Sequence, residues 1–123
     1  MEAVPFLMEL SPERHACRKV LEAVIRIVAD EFGLTVSEMM MPSRSHAVWK
    51  PRMAAMYLAR LMTDCSLPEL GRAFGGRSHT TVLRATRRCR DLMDRDVCWR
   101  ECLAVLRNRL ERHAADMVLT ART

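Results

Sequence analysis

The sequence predicts an all-α fold, a small helical bundle that contains a helix-turn-helix near its centre. Apolar residues recur at helical spacing through most of the 123 residues. Ser and Thr residues suited to helix N-caps precede several of these stretches. Only four glycines and five prolines interrupt the chain, too few for a loop-rich protein. We expect residues 1–123 to form a single domain, with a core at about 20–92 and an extra C-terminal helix at about 96–119.

The first part of the chain is predicted to form two helices. One runs over about residues 12–32, where Ser11 and Pro12 suit its start and Gly33 suits its end. Thr35 and Glu38 are spaced as a capping box, which predicts a short second helix. We expect the following apolar residues of this second helix to be buried: Met39, Met40 and Met41.

The remainder is predicted to form four more helices. The third begins at about residue 51, or a few residues earlier, and ends at about residue 62. Its apolar stripe is formed by Ala54, Tyr57, Leu58 and Leu61. Ser66 and Glu69 form a second capping box for a short fourth helix, and Gly75 and Gly76 break that helix. Ser78 is the predicted N-cap of a fifth helix.

Positive charge is concentrated in the middle of the chain. Residues 42–95 hold eleven Lys and Arg against four Asp and Glu, whereas residues 1–41 hold four against seven. A basic block of this kind suits binding to a phosphate backbone. Solvated helix faces are often equally basic, so charge alone leaves both interpretations open.

Several other classes of protein are not favoured. Residues 1–10 contain acidic but no basic side chains, and no apolar run approaches the roughly 20 residues of a membrane span, so we expect a cytoplasmic protein with no membrane partner. The five cysteines are an odd number without a disulfide pattern. Cys98 and Cys102 could share a helix face, but no second pair would complete a metal site, so we expect no metal and no cofactor.

The segment 66–88 has the pattern of a helix-turn-helix: a short capped helix, a glycine turn and a second helix rich in Arg. The second helix of this motif enters the major groove, and its first residues meet the base edges. Here these residues are short and polar, and a Thr methyl group can touch a thymine methyl. The alternative is an ordinary helical hairpin with a polar N-cap.

The stretches Ser66-Leu67-Pro68-Glu69-Leu70-Gly71 and Phe74-Gly75-Gly76-Arg77-Ser78-His79-Thr80-Thr81-Val82 closely resemble the signature of the C-terminal DNA-binding domain of the bacterial replication initiator DnaA. Lys50-Pro51-Arg52-Met53-Ala54-Ala55-Met56-Tyr57-Leu58 fits the same family. The resemblance covers roughly residues 20–92 in the right order, and it implies a Trp-repressor-like helical arrangement.

The resemblance implies a set of base contacts. His79 and Thr80 occupy the positions that face bases in the major groove. Ser78 stands where the family usually has Asp, and it lacks the carboxylate that accepts a hydrogen bond from cytosine N4, so the sequence preference is expected to differ. Arg44 stands at the position of a minor-groove arginine, although Ser43 and His46 replace arginines that are common beside it.

The resemblance also implies contacts to the DNA backbone, which position a protein without selecting a sequence. The matching residues are Arg52, Leu67, Pro68, Arg77 and Thr81, with Arg60 and Arg84 at further polar positions of the same surface. Arg87 and Arg88 are either phosphate contacts or solvated charges.

These observations predict sequence-specific binding to double-stranded DNA at initiator-box-like sites, with a role in regulating replication initiation or transcription. No Gly-x-x-x-x-Gly-Lys-Ser/Thr loop is present, so no nucleotide binding is expected. The alternative is a protein–protein adaptor that kept the fold. The last helix is a candidate surface for a homodimer or a replication-protein partner. An enzyme is not expected, because the four histidines are scattered and no catalytic constellation is recognisable.

Overall fold

The computed structural model describes residues 12–42 and 46–122. Within these ranges the chain forms six helices and no strand. They are α1 (Pro12–Glu31), α2 (Val36–Met40), α3 (His46–Met62), α4 (Leu67–Ala73), α5 (His79–Arg95) and α6 (Val97–Arg122). The predicted all-α bundle with a central helix-turn-helix is confirmed. None of the helices in the described ranges is long and apolar enough to cross a membrane.

The predicted caps set the starts of the two short helices. The Thr35 hydroxyl accepts a hydrogen bond from the backbone N–H of Glu38 at 3.0 Å, and the Glu38 carboxylate accepts one from the Thr35 N–H at 2.8 Å. The same reciprocal pair joins Ser66 and Glu69. Each box satisfies two backbone donors that a helix start leaves without an intrahelical partner.

Helix α3 begins before its proline. It starts at His46, so that Pro51 lies in the second turn, where its missing N–H removes one intrahelical hydrogen bond. Residues 51–56 are all buried, and this packing favours the helix despite the proline.

The core lies between α1, α3 and α5, and α6 closes it against α1 and α5. Its fully buried large side chains include Phe74, Met39, Met53, Met56, Leu58, Leu70, Leu103 and Leu106. Two residues predicted to be buried are exposed: Met41 by 58% and Leu61 by 46%. Met41 is the C-cap of α2, and its extended backbone (φ −67°, ψ 148°) takes its side chain off the helical stripe. Leu61 lies near the end of α3 and lines an open groove towards α5.

Helix α6 packs its apolar stripe on the rest of the bundle. Trp99, Leu103, Leu106 and Leu110 are buried, and the rings of Trp99 and Phe32 lie 6.3 Å apart. Arg109 adds a polar link to the end of α1, donating to Glu31 at 2.6 Å and to Asp30 at 3.5 Å. The stripe that could have formed a dimer seam is therefore used within the chain as far as Leu110.

Candidate nucleic-acid interface

The turn between α4 and α5 depends on a very close approach of two backbones. A Cβ atom on Gly71 would lie 2.0 Å from the carbonyl oxygen of Arg77, and the Gly71 carbonyl accepts a hydrogen bond from the Arg77 N–H at 2.8 Å. Gly76 has a φ of 78°, in the left-handed region that favours glycine. These two glycines fix where α5 begins relative to α4.

The start of α5 is an exposed polar surface. Ser78 is the N-cap, and its hydroxyl accepts from the Thr81 N–H at 3.3 Å and lies 3.1 Å from the Thr81 hydroxyl. Ser78, His79, Thr80 and Thr81 are all exposed. The N–H groups of His79 and Thr80 precede the first intrahelical donor, so they are available to an anion such as a phosphate.

Helix α5 has an apolar face and a cationic face. Val82, Thr86 and Cys89 are buried, and the Thr86 hydroxyl donates to the carbonyl of Leu83 at 2.8 Å. The exposed arginines of the helix within its central turns are Arg84, Arg87, Arg88 and Arg90. The structure therefore brings the predicted His79, Thr80, Thr81, Arg84, Arg87 and Arg88 onto the exposed surface of one helix.

Three predicted contact residues lie on the helices beside α5. Pro68 is exposed at the first turn of α4, whereas Leu67 is half-buried and packs against the core. Arg60 is exposed in the last turn of α3. The short helix α4 thus exposes Pro68 to solvent more than Leu67.

Two arginines that were predicted to contact phosphates donate hydrogen bonds to the end of α2. Arg52 is only 6% exposed, and its guanidinium donates to the carbonyl of Met39 at 2.7 Å and also to that of Met41. Arg77 donates to the carbonyls of Met41 at 3.1 Å, Met40 at 3.5 Å and Phe74. The C-terminal carbonyls of a helix carry partial negative charge, which explains why two cations converge there.

Burial lowers the pKa of Arg52 below its ordinary value, and the neighbouring charge of Arg77 lowers it further. Burial also lowers the pKa of Arg77. The Arg52 guanidinium is buried against carbonyl groups, which gives Arg52 a structural role and leaves little of it exposed to a phosphate. Arg77 is half-buried, and its hydrogen bonds join the helix-turn-helix turn to α2.

Trp49 contacts the cationic face of α5 in a way that the sequence did not reveal. The Arg88 guanidinium lies 4.8 Å from the centre of the Trp49 ring, a cation–π distance. On the next residue of α3, the Lys50 ammonium lies 5.0 Å from the Trp99 ring of α6. The first turns of α3 are thus joined to α5 and α6. No periodic pattern links Trp49 to Arg88, so only the packing of α3 on α5 shows the pair.

The predicted minor-groove residue, Arg44, lies outside the described residues, with Ser43. The residues on both sides of this segment contact the rest of the fold. Before it, the Met41 carbonyl accepts hydrogen bonds from Arg52 and Arg77. After it, Trp49 and Lys50 make the two cation–π contacts.

The cysteines give no metal centre in the part of the chain that the structure describes. There, no three His, Cys, Asp or Glu side chains lie close enough together to hold a metal ion. Burial raises the pKa of the Cys89 thiol to about 11, and the neighbouring Trp99 side chain opposes part of this shift. Cys89 is therefore a small apolar core residue.

The fold and this exposed helix define a helix-turn-helix domain, a class in which the second helix commonly enters the major groove of DNA. A family model described as the bacterial dnaA protein helix-turn-helix matches residues 21–89, and the chain belongs to this family. The resemblance predicted from the sequence is thereby confirmed. The matched region is a helix-turn-helix and not a catalytic domain.

Known proteins agree with this assignment. The chain is 42% identical over 97 residues to the chromosomal replication initiator protein DnaA of Gluconobacter oxydans, and 42% identical over 95 residues to that of Brucella abortus. These matches include 79% and 77% of the chain. The chain spans about a fifth of the length of these curated relatives. A crystal structure of a DNA replication initiation factor superposes with a TM-score of 0.73 at 27% identity, covering 82% of this chain and 31% of that one.

Proposed function

We propose that this protein binds double-stranded DNA in a sequence-specific manner at initiator-box-like sites. The observation that carries the proposal is the exposed N-terminus of α5, where His79 and Thr80 stand beside a row of exposed arginines. A helix is narrow enough to enter the major groove, which is about 12 Å wide. His79 and Thr80 would then face base edges, and the arginines would face phosphates.

The arginines and the helix N-terminus supply affinity in this proposal. Arg84 lies four residues after Thr80 on the same exposed face, roughly 6 Å further along the helix axis. Arg87 and Arg88 follow about one turn later and would contact the strands on either side of the groove. Each phosphate neutralised in this way releases counterions, so binding would weaken steeply with salt.

Ser78 has two roles to separate, since its hydroxyl caps α5 and also faces solvent. As the N-cap it accepts from Thr81 N–H. As a base contact it can donate or accept one hydrogen bond, but it cannot act as the carboxylate that accepts from cytosine. Asp is an equally good N-cap. A Ser78→Asp variant therefore keeps the helix start and changes only the chemistry offered to DNA.

The test is fluorescence anisotropy with three duplexes: an initiator-type box, a scrambled box and a randomised pool, each at two salt concentrations. We expect wild type to prefer the box and Ser78→Asp to change the preferred base at one position. His79→Ala and Thr80→Ala should each weaken binding to the preferred site by about 1–3 kcal/mol and weaken pool binding less. Asn108→Ala, on the exposed side of α6, is the matched control. Equal losses on box and pool would remove His79 and Thr80 from the base contacts.

By occupying such sites the protein would compete with a full-length initiator or regulate nearby genes, and it would be found with the nucleoid.

One observation favours a second candidate, a protein–protein adaptor. Val97 and Val105 of α6 are 56% and 53% exposed, which gives its outward side some apolar surface. No binding to any duplex at low salt would refute DNA binding and favour the adaptor.

A further inference from the structure

A groove between α3 and α5 is lined by residues other than those proposed to contact bases at the start of α5. It has a volume of about 350 Å³ and is lined by Tyr57, Arg60, Leu61, Leu83, Thr86, Arg87 and Arg90. Three of these seven side chains are arginines, and none is acidic. Arg60 comes from α3, whereas Arg87 and Arg90 come from α5, so the cationic lining depends on how the two helices pack.

The three guanidinium groups carry charge that the surrounding chain does not neutralise. Each arginine is followed four residues later by an aspartate: Asp64, Asp91 and Asp94. In the described part of the chain none of these three pairs forms an ion pair or a hydrogen bond. A basic residue placed before the acid is the weaker order for such a pair in a helix, which is consistent with the open arrangement. The arginines are therefore available to an external anion.

The remaining walls of the groove are apolar or weakly polar. Tyr57 and Leu83 are half-buried, and Leu61 is 46% exposed. The Tyr57 hydroxyl has no hydrogen-bond partner among the described residues. Guanidinium groups bind phosphate oxygens in a bidentate manner, a tyrosine hydroxyl can add a donor, and apolar side chains suit the sugar. This combination fits a sugar–phosphate unit better than an isolated inorganic anion.

The groove continues the surface to which DNA binding is assigned above. Arg87 belongs to both, since it lines the groove and lies one turn beyond Arg84 on the exposed face of α5. Arg90 lies ten residues beyond Thr80, which is roughly 15 Å along the helix axis. Arg90 is therefore far from the residues that face the bases, and we expect it to contact the sugar–phosphate backbone instead of base edges.

We propose that Arg60, Arg87 and Arg90, with Tyr57, form a binding site for the sugar–phosphate backbone, and that this site extends the contact with one DNA strand beyond the bases that the start of α5 selects. The inference rests on the proposed function. Arg90 is the residue that it adds to the interface. The contact is independent of base sequence, because only phosphate and sugar are touched.

The first test compares Arg90→Gln with Arg107→Gln. Arg107 lies on α6, pairs with Glu111 at 3.6 Å and is outside the groove, so both variants lose one positive charge. We expect Arg90→Gln to reduce the slope of log K against log salt by about one and to weaken binding to box and pool alike by roughly five- to tenfold at 0.1 M salt. Arg107→Gln should keep the wild-type slope. Equal slopes for the two variants overturn the inference, while a retained wild-type preference for the box leaves the proposed function standing.

The second test replaces single phosphates at either end of the box by neutral methylphosphonates. We expect one end to weaken wild-type binding, and Arg90→Gln to show no further loss with that duplex, since the same contact has been removed twice. Additive losses would overturn the assignment. Calorimetric titrations with AMP and with inorganic phosphate distinguish a free-phosphate site. If either binds wild type but not Arg90→Gln while the DNA slopes are equal, the site takes a small phosphate and the backbone assignment is wrong.

Discussion

Replacing Gly71 by Ala tests the close approach that positions α5. The added Cβ would lie 2.0 Å from the Arg77 carbonyl oxygen and 3.0 Å from its carbonyl carbon. Ordinary contacts between such atoms are about 3.5–4.0 Å, so the peptide after Arg77 must move by roughly 1.5 Å. Both atoms belong to backbone, so no side-chain rotation relieves the contact. The displacement is passed directly to Ser78, the N-cap of α5.

Two opposing contributions set the change in unfolding free energy caused by Gly71→Ala. Overpacking of this kind costs typically about 1–3 kcal/mol, and a backbone clash lies at the upper end. The substitution also adds up to about 1 kcal/mol of stability, because alanine has a higher helix propensity than glycine. We expect Gly71→Ala to lose about 2 kcal/mol of unfolding free energy, which lowers Tm by roughly 6–10 °C in a domain of this size. Affinity for the box should also fall at temperatures where the variant is folded, because the start of α5 has shifted.

Gly76→Ala is the matched control. It lies in the same turn, but nothing is within 4 Å of its added Cβ, and only its φ of 78° opposes the substitution. The expected cost is about 1 kcal/mol. Thermal unfolding followed by far-ultraviolet circular dichroism, with anisotropy on the box duplex, measures both effects. If Gly71→Ala unfolds at the wild-type temperature, or if Gly76→Ala is the more damaging change, then the helix-turn-helix does not depend on this contact.

Four further predictions concern residues that the packing explains. Arg52→Met should lose about 2–3 kcal/mol of unfolding free energy, because buried carbonyls lose charged donors, while the salt slope of DNA binding in the folded variant stays unchanged; a reduced slope would restore the phosphate contact. Trp49→Leu should weaken binding to all duplexes alike, since Arg88 is no longer held over a ring, and Trp49→Phe should restore most of it; equal behaviour of the two variants would exclude the cation–π contact. Exposed Cys98 should be alkylated at pH 8 and buried Cys89 should not, as peptide mass spectrometry would show. Because the pKa of Cys89 is raised to about 11 in the folded state, its contribution to stability is present below pH 9 and is lost as the pH rises towards 11.

The helix starts that carry an N-cap residue were the most predictable part of this protein. Thr35, Ser66 and Ser78 each cap a helix as the sequence indicated. A cap is a contact between residues two or three positions apart, so its chemistry is complete within a few residues. The apolar face of a helix is predictable for a related reason, since a helix repeats its faces every 3.6 residues wherever it packs. The motif at residues 66–82 was sufficient by itself to indicate the family, because its glycines, caps and polar residues are contiguous in the chain.

The sequence predicted the exposed polar residues of the candidate site as a group, but it did not predict which arginines among them are exposed. The sequence placed His79 and Thr80 at the start of a helix, and the structure shows that both are exposed. It could not separate the arginines from one another. Arg52 and Arg84 look alike in the sequence, yet one is 6% exposed and the other is open to solvent.

Local chemistry therefore determined where helices begin, which face of each is apolar and to which family the chain belongs. Only the tertiary structure determined which partners each arginine has. Arg52 and Arg77 donate hydrogen bonds to carbonyls at the end of α2 that lie 11 to 37 positions away in the sequence. Arg88 lies over the Trp49 ring because α3 packs against α5. The same packing brings Arg60, Arg87 and Arg90 to one groove. An arginine is long and finds its partner in space, and the partner depends on how helices distant in sequence pack together.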